Sequence, residues 1–501
     1  MKLYIFGIGG TGSRVIKALT MLFAAGCRLE NGFDTVVPVI IDPDTGNGDL
    51  DRTKDILRLY QQIRNQVDHP DDFFGQDLKT IQELAANTAD INPDFFQFRL
   101  NGVDGNSFNQ YIGFDELNDR SETGEDDKNF VRLLYSEKNL NSDISVGFKG
   151  NPNMGSIVLN QFTTSDDFLR FGQTFGPGDA VFIVNSIFGG TGAAGFPLLL
   201  KNLRGNTEIP HRVQIRNAPI GGITYLPYFS LNKQDEINSE SFEEKSKVAI
   251  DYYNRTIISQ NKINAIYLIG NKGNTNVIPY AVGGKDQKND AHFLEMAGAL
   301  AIMDFCRNIE FHKVADGKAL NGTQVKEYGI ENETDVITFS DLNLNDVRLI
   351  SQPLTRYRLF TEYLEKGLPR ALGVSRWTRS NIKLVPGSRN SSLDTNYFNS
   401  VEYTLQVKAF NTRFAGWMKE LGQNKPAFSP FHEITPDKAL HLVKNKTPKG
   451  DGSFKTIDRE NCRLIDRDDI RSAPTHKHTT LIKLFGLSTK HAVTKKELII
   501  R

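Results

Sequence analysis

"NSIFGGTGAAGFPLLLKNL", residues 185–203, is the stretch that decides the fold. The apolar run "DAVFIVNSI" (179–187) leads into it, and a helix-like run follows. Between Gly189 and Gly195 there is no bulky side chain. A strand that ends in glycines and feeds a helix exposes backbone N–H groups at the helix N-terminus. Those donors and the helix dipole hold phosphate oxygens. Glycine is needed there because a Cβ would block the approach. A second stretch of the same kind, "YIFGIGGTGSRVIKAL" (4–19), opens the chain.

Around these two turns the chain alternates. "KLYIF" predicts a buried strand, and "SRVIKALTMLFAAG" a helix that stops at Gly26. "TVVPVIID" predicts a second strand, with Pro38 near its start. Further on, "IGGITYLPYF" and "INAIYLIGN" read as strands on either side of a helix in "SESFEEKSKVAIDYYNRTIIS" (239–259). Such alternation predicts a mostly parallel sheet covered on both faces, with ligands beyond the carboxyl ends of its strands. "NDAHFLEMAGALAIMDFCRNI" (289–309) is apolar nearly all round, which predicts a helix buried between two bodies of protein. A polar stretch to about Thr334 and a mixed α+β region to about residue 430 come next. The acidic segment Asp115–Asp127 reads as a solvated insertion loop. The basic end "THKHTTLIKLFGLSTKHAVTKKELIIR" (475–501) reads as a solvated tail or a terminal strand, with a contact site for an acidic partner as the alternative.

Bulk composition narrows the class. The chain has 501 residues, 39% hydrophobic and 24% charged, which suits two or three domains. Sixty basic and sixty acidic side chains cancel, so no global field steers it to nucleic acid or acidic lipid. Three cysteines without a CxxC pair argue against zinc and against a disulfide framework, and for a reducing cytoplasm. Glycines interrupt the first apolar run where a signal peptide would be continuous. The most apolar later window, 180–200, contains Asn185, Ser186, glycines and Pro197, so no membrane span is expected.

The first loop alone leaves its ligand open. Gly7-x-Gly9-x-x-Gly12 with Asp42 after the next strand fits a dinucleotide-binding unit, and also the adenylating enzymes of the ubiquitin-activating type. The second loop separates these readings, because neither of those families is expected to place such a turn near residue 190. Phe188-Gly189-Gly190-Thr191-Gly192-Ala193-Ala194-Gly195 resembles the GGGTG[ST]G signature of the tubulin/FtsZ superfamily. Phe188 replaces its first glycine and Ala193 its Ser/Thr. Other stretches follow in that superfamily's order. "GIGGTGS" resembles its first phosphate loop, "IIDPD" its second and "GFKGNPNMG" (147–155) the loop around the terminal phosphate. "ITYLPYF" resembles the strand near the ribose, "INAIYLIGN" the next strand, and "KNDAHFLEMAGALA" (288–301) the start of the central helix. The resemblance covers about residues 1–310 and is to divergent prokaryotic tubulin-like proteins.

That resemblance implies an α/β fold: a Rossmann-like parallel-sheet GTPase domain over 1–285 with an insertion at about 60–145. A long central helix at 286–310, a smaller α+β domain at 311–430 and a C-terminal extension at 431–501 would follow. It implies GTP and Mg²⁺ as ligands, held by Gly9, Gly10, Thr11 and Gly12, by Asp42 and Asp44, by Gly150 and Asn151, and by Gly189, Gly190, Thr191 and Gly192. Neither glycine loop ends in Gly-Lys-Ser/Thr, so backbone amides and the metal would neutralise the phosphates. Asn289 would read guanine, since an amide offers a donor and an acceptor to its edge, with a helix N-cap as the alternative role. The acid that activates water would come from the next subunit. "FSDLNLNDVRLI" (339–350) is the best match, giving Asp341, Asn343 and Asp346 as its residues, with ordinary helix capping by an Asp as the alternative role and Asp290-x-His292-x-x-Glu295 on the central helix as a competing site. The implied partner is a second copy, head to tail, in the cytoplasm, with a further protein at the C-terminal region. The alternatives are a non-polymerising GTP-binding interaction protein of the same fold, and an adenylating or NAD-dependent enzyme using the first loop alone.

Overall fold

The computed structural model describes residues 1–498 except 69–71, 86–95, 118–123, 149, 230–241, 272–280, 282–283, 286, 314–321, 329–333, 380–391 and 472–475. Part of the acidic segment Asp115–Asp127, Lys149 and the start of the helix expected from Ser239 lie outside the described residues.

Seven parallel strands form the central sheet: β1 (Lys2–Ile8), β2 (Thr35–Ile41), β3 (Asp77–Leu78), β4 (Ala180–Ser186), β5 (Ile220–Tyr225), β6 (Ala265–Ile269) and β7 (Gln324–Glu327). Their order is β3-β2-β1-β4-β5-β6-β7. β1 lies between β2 and β4, with Leu3 opposite Val36 on one side and Ala180 on the other. The chain is wound outward in two directions from this pair, so the crevice for a ligand falls beyond the carboxyl ends of β1 and β4. Both ends carry glycine turns.

Pro38 sits within β2, opposite Ile5. It can do so because β3 pairs only with Thr35 and Val36. Further along, the Ile40 N–H bonds to the carbonyl of Phe96 at 2.6 Å. The missing proline N–H thus falls where no neighbouring strand needs it.

The helices labelled here are α1 (Gly9–Ala24), α2 (Gly48–Asn65), α3 (Gly124–Leu134), α4 (Pro152–Leu159), α5 (Gly190–Gly205), α6 (Phe242–Tyr253), α7 (Phe293–Arg307), α8 (Leu344–Glu362), α9 (Ala409–Gln423), α10 (Lys455–Leu464) and α11 (Lys477–Lys495). α1 stops as expected: Gly26 has φ +103°, and the Cys27 N–H closes back on the Leu22 carbonyl at 3.0 Å. α7 is buried all round except at Asp304 and Arg307. It packs so closely on the sheet that a Cβ on Gly298 would lie 1.9 Å from the Tyr225 hydroxyl oxygen. Among the described residues no helix is long and apolar enough to cross a membrane.

Two elements differ from the sequence expectation. The polar stretch before Thr334 contains β7, the edge strand of the sheet. Three of its four residues, Gln324, Lys326 and Glu327, are polar, and Val325 and Glu327 point outward. The basic C-terminus is neither a solvated tail nor a strand. Leu481, Leu484, Phe485 and Ala492 fall on one helical face, and α11 buries them. The Arg356 guanidinium of α8 donates to the Gly486 carbonyl of α11 at 2.6 Å and pairs with Asp72 at 2.7 Å.

Candidate functional site

The turns after β1 and β4 lie side by side. Gly9 has φ +72°, and a Cβ built on it would lie 3.6 Å from Thr191 Cβ and 3.9 Å from the Gly192 nitrogen. The 147–151 turn closes over them: a Cβ on Gly190 would lie 2.8 Å from Phe148 Cβ and 3.2 Å from the Gly150 nitrogen. Three glycine-rich turns therefore meet at one place: a Cβ on Gly190 would collide with the third turn, and the positive φ of Gly9 disfavours a side chain there.

They enclose a cleft of about 150 Å³. A site that swallows a whole small molecule has roughly 300 Å³ or more. This one is smaller than that. Gly9, Gly10 and Thr11 line it from the first turn, Asp42 and Asp44 from the second, Gly150 from the third, and Gly189, Gly190, Thr191 and Gly192 from the fourth. Gly12 is not in the lining; it lets α1 sit against β1, where its Cβ would lie 2.4 Å from the Gly7 carbonyl carbon. Asn151 opens instead onto a neighbouring groove. Neither α1 nor α5 has a side-chain cap at its N-terminus, whereas Asn47 caps α2 and His292 caps α7. The first-turn amides of two helices are thus left without side-chain caps beside one cleft.

A buried cation also lines the cleft. Arg14, on α1, is 2% exposed, and its NH1 nitrogen would lie 3.2 Å from a Cβ on Gly10. Its Nε donates to Glu295 at 2.5 Å, NH1 pairs with Asp49 at 3.3 Å and NH2 donates to the Tyr228 hydroxyl at 2.9 Å. The guanidinium supplies a side-chain charge that the loop motif alone does not announce. Burial acts to raise the carboxyl pKa of Glu295, but Arg14 and Lys17 outweigh it and hold Glu295 below the usual range. Burial wins at Asp49, which stays above the usual range despite Arg14, Lys17 and Arg52.

Asp42 and Asp44 face the same cleft. The Asp44 N–H bonds to Asp42 Oδ1 at 3.0 Å, and Asp44 Oδ2 accepts from the Gly284 N–H at 2.6 Å. Burial pushes Asp42 up to about 7, against the hydrogen bond from the Asp44 N–H and the charge of Arg14. A buried carboxylate pair beside a phosphate cradle is an all-oxygen donor set, the kind that suits a small divalent cation.

Asn289 does not line the cleft. Its Nδ2 donates to Asp49 Oδ2 at 3.1 Å and to the Ala281 carbonyl at 3.3 Å, and its Oδ1 accepts from the Ala281 N–H at 2.9 Å. Nor does it cap α7, whose N-cap is His292. The neighbouring Gln287 does reach the cleft lining.

The acid-loop residues lie elsewhere on the chain. Asn343 caps α8, accepting from the Asp346 N–H at 3.0 Å. Asp341 forms a capping box with Thr338. Asp346 is 5% exposed, and its carboxylate accepts from Tyr328 at 2.7 Å and Asn343 at 2.5 Å; burial holds its pKa above the usual range. None of the three lines the cleft of its own chain.

Sequence reasoning did not single out Arg14, Asp49 or Gln287, and it weighed Glu295 only as part of a competing acid site. The available signal was the charge itself: Arg14, Asp49 and Glu295 each fall within the first two turns of a helix, α1, α2 and α7.

Fold and cleft together define a doubly wound α/β protein with two glycine turns, each opening a helix without a side-chain cap, at one cleft. No protein family matches the chain, and no curated protein does. Among solved structures it is similar to the GTPγS-bound protofilament of CetZ2 from Haloferax volcanii, at 14% identity and TM-score 0.29 over 63% of this chain and 61% of that one. It is also similar to the GTPγS-form protofilament of TubZ from Bacillus thuringiensis serovar israelensis, at 12% and 0.23 over 54% and 46%. For CetZ from Methanosaeta thermophila the values are 14% and 0.23 over 62% and 53%. The matches thus span less than two thirds of each of these three chains. Likeness at this level decides nothing about ligand or activity, which rest on the cleft.

Proposed function

We propose that this chain is a GTP-binding protein that grips the phosphate chain between its two glycine turns. The observation that carries the reading is the placement of Gly9 beside Thr191 and Gly192, close enough that a Cβ on it would touch both, at the N-termini of two helices without side-chain caps. A dinucleotide-binding or adenylating enzyme would use the first turn and leave the second idle; here both turns border one cleft. The choice of guanine comes from the motif order, not from the cleft. For Asn289 to read the base, its amide would have to exchange Asp49 and Ala281 for the base edge.

The chain's own contribution is electrostatic. First-turn amides of α1 and α5 donate to phosphate oxygens, and Thr191 adds a hydroxyl. Arg14 lends a fixed positive charge at the floor, held in place by Glu295 and Asp49. Asp42 and Asp44 are the residues that would hold Mg²⁺. When bound, the ion spreads charge away from the terminal phosphate. Equilibrium binding of GTP against ATP tests the proposal; a chain that binds ATP or NAD tightly and GTP not at all overturns it.

Hydrolysis on head-to-tail assembly is the fuller form of this reading. A second form, GTP binding without a shared hydrolytic site, is favoured by the acid loop, where Asn343 and Asp341 serve as caps and Asp346 is buried. The GTPase rate per molecule separates them: it rises with protein concentration if subunits complete each other's sites, and stays flat if they do not.

A further inference from the structure

Outside the cleft the chain carries two exposed surfaces that complement each other. One is a groove of about 850 Å³ between α5 and α6. Pro197, Leu198 and Lys201 line it from α5, and Lys245, Val248 and Tyr252 from α6. Val248 is 73% exposed and Tyr252 50%, so an apolar floor faces water. The charges around it are one-sided: Lys201, Lys245 and Lys262 against Glu244. Lys262 lies at the α5 end that carries Lys201, since Arg204 Nε donates to the Lys262 carbonyl at 2.9 Å.

The other surface is α3. Phe130, Leu133 and Leu134 stand at i, i+3 and i+4, one face of a helix, and are 62%, 84% and 57% exposed. One turn earlier on the same face is Asp126, within the acidic first turn Glu125–Asp127. α3 thus pairs an acidic first turn with an apolar ridge, its Lys128 and Arg132 standing beside them and Arg132 pairing with Glu125, and the groove is a basic, apolar trough. The whole chain has no net charge, so any attraction between copies is local to such patches.

We infer that α3 of one copy docks in the α5–α6 groove of a second copy, as an amphipathic helix docks in a groove. Phe130, Leu133 and Leu134 cover Leu198, Val248 and Tyr252, and the acidic first turn meets Lys201 and Lys262. The two patches are different, so the contact is heterologous: each copy donates one and receives one, and copies add in series rather than closing a two-fold dimer. The inference does not depend on the nucleotide proposal, because no α3 residue and neither Lys201 nor Val248 lines the cleft.

Sedimentation velocity of the full chain without nucleotide, over a range of concentrations, tests it. Association that rises with concentration is expected. Leu133→Asp and Val248→Asp, both at exposed positions, should each weaken it at least tenfold while leaving the urea unfolding midpoint unchanged. Asp126→Lys and Lys201→Glu should each weaken self-association, and mixing those two chains should restore hetero-association across the swapped charges. A chain that stays monomeric at every concentration, α3 occupying the groove of its own copy, or association indifferent to Leu133→Asp or Val248→Asp overturns the inference.

Discussion

Arg14 Nε lies 2.5 Å from Glu295 Oε1 and joins α1 to α7 at the floor of the cleft. Both side chains are almost wholly buried. Removing one member of such a pair leaves the other charge buried and uncompensated, which costs about 3–5 kcal/mol. Arg14→Met should therefore lower stability by about that amount, read as a shift of the urea unfolding midpoint. Arg14→Met with Glu295→Leu should lose less than the single variant, because Glu295 is then not stranded and Asp49 keeps Arg52 and Asn289 beside it. Arg14→Met should also bind GTP at least tenfold more weakly, since the cradle loses its buried cation.

Asn289 is bonded to Asp49 and Ala281 through its whole amide. Asn289→Ala leaves the buried Asp49 carboxylate short of a donor, at a cost of about 1–3 kcal/mol. Chemical denaturation of the variant without nucleotide measures it. An unchanged midpoint would mean that the bonds to Asp49 and Ala281 contribute nothing.

His312 and His478 are buried, and burial lowers each to about 4 from the ordinary 6.5. In the unfolded chain both accept a proton near pH 6.5; in the folded chain they resist it. The unfolded state therefore binds more protons between pH 6.5 and 4, and stability is full above that window and lost as pH falls through it. Each histidine contributes up to about 3 kcal/mol of the loss. Between pH 7.5 and 4.5 the parent should lose more stability than His478→Gln, by up to about 3 kcal/mol, while the buried acids Asp42, Asp49 and Asp346 act alike in both chains; unfolding midpoints at the two pH values measure the difference.

Gly298 faces Tyr225 at a distance that admits no Cβ. Gly298→Ala should cost about 1–3 kcal/mol or more, because the ring must leave its place and its bond to the Leu294 carbonyl. Tyr225→Phe removes the colliding oxygen, so Gly298→Ala should cost less in that background. A double-mutant cycle by thermal unfolding checks the sign of the coupling.

The sheet was legible because its strands are buried on both faces and read as unbroken apolar runs, such as "TVVPVII" and "AVFIVNS". The glycine turns were legible because side-chain-free positions between a strand and a helix have few other uses. β7 was not, since an edge strand that alternates inward and outward looks like any polar segment. α11 was missed because its lysines and histidines hid the helical spacing of Leu481, Leu484 and Phe485. The roles of Arg14, Asp49 and Asn289 depend on neighbours far away in sequence, and no local spacing specifies which carboxylate a buried arginine will meet.

The central claim is that the turns at Gly9 and Thr191 grip one phosphate chain. Titration calorimetry of tripolyphosphate and of GTP into the parent chain and into Thr191→Trp, whose indole would fill the space beside Gly9, tests it most directly. The account predicts that the parent binds both ligands and that the variant, unfolding at the same urea concentration, binds each at least a hundredfold more weakly. Undiminished binding of GTP by Thr191→Trp would contradict it.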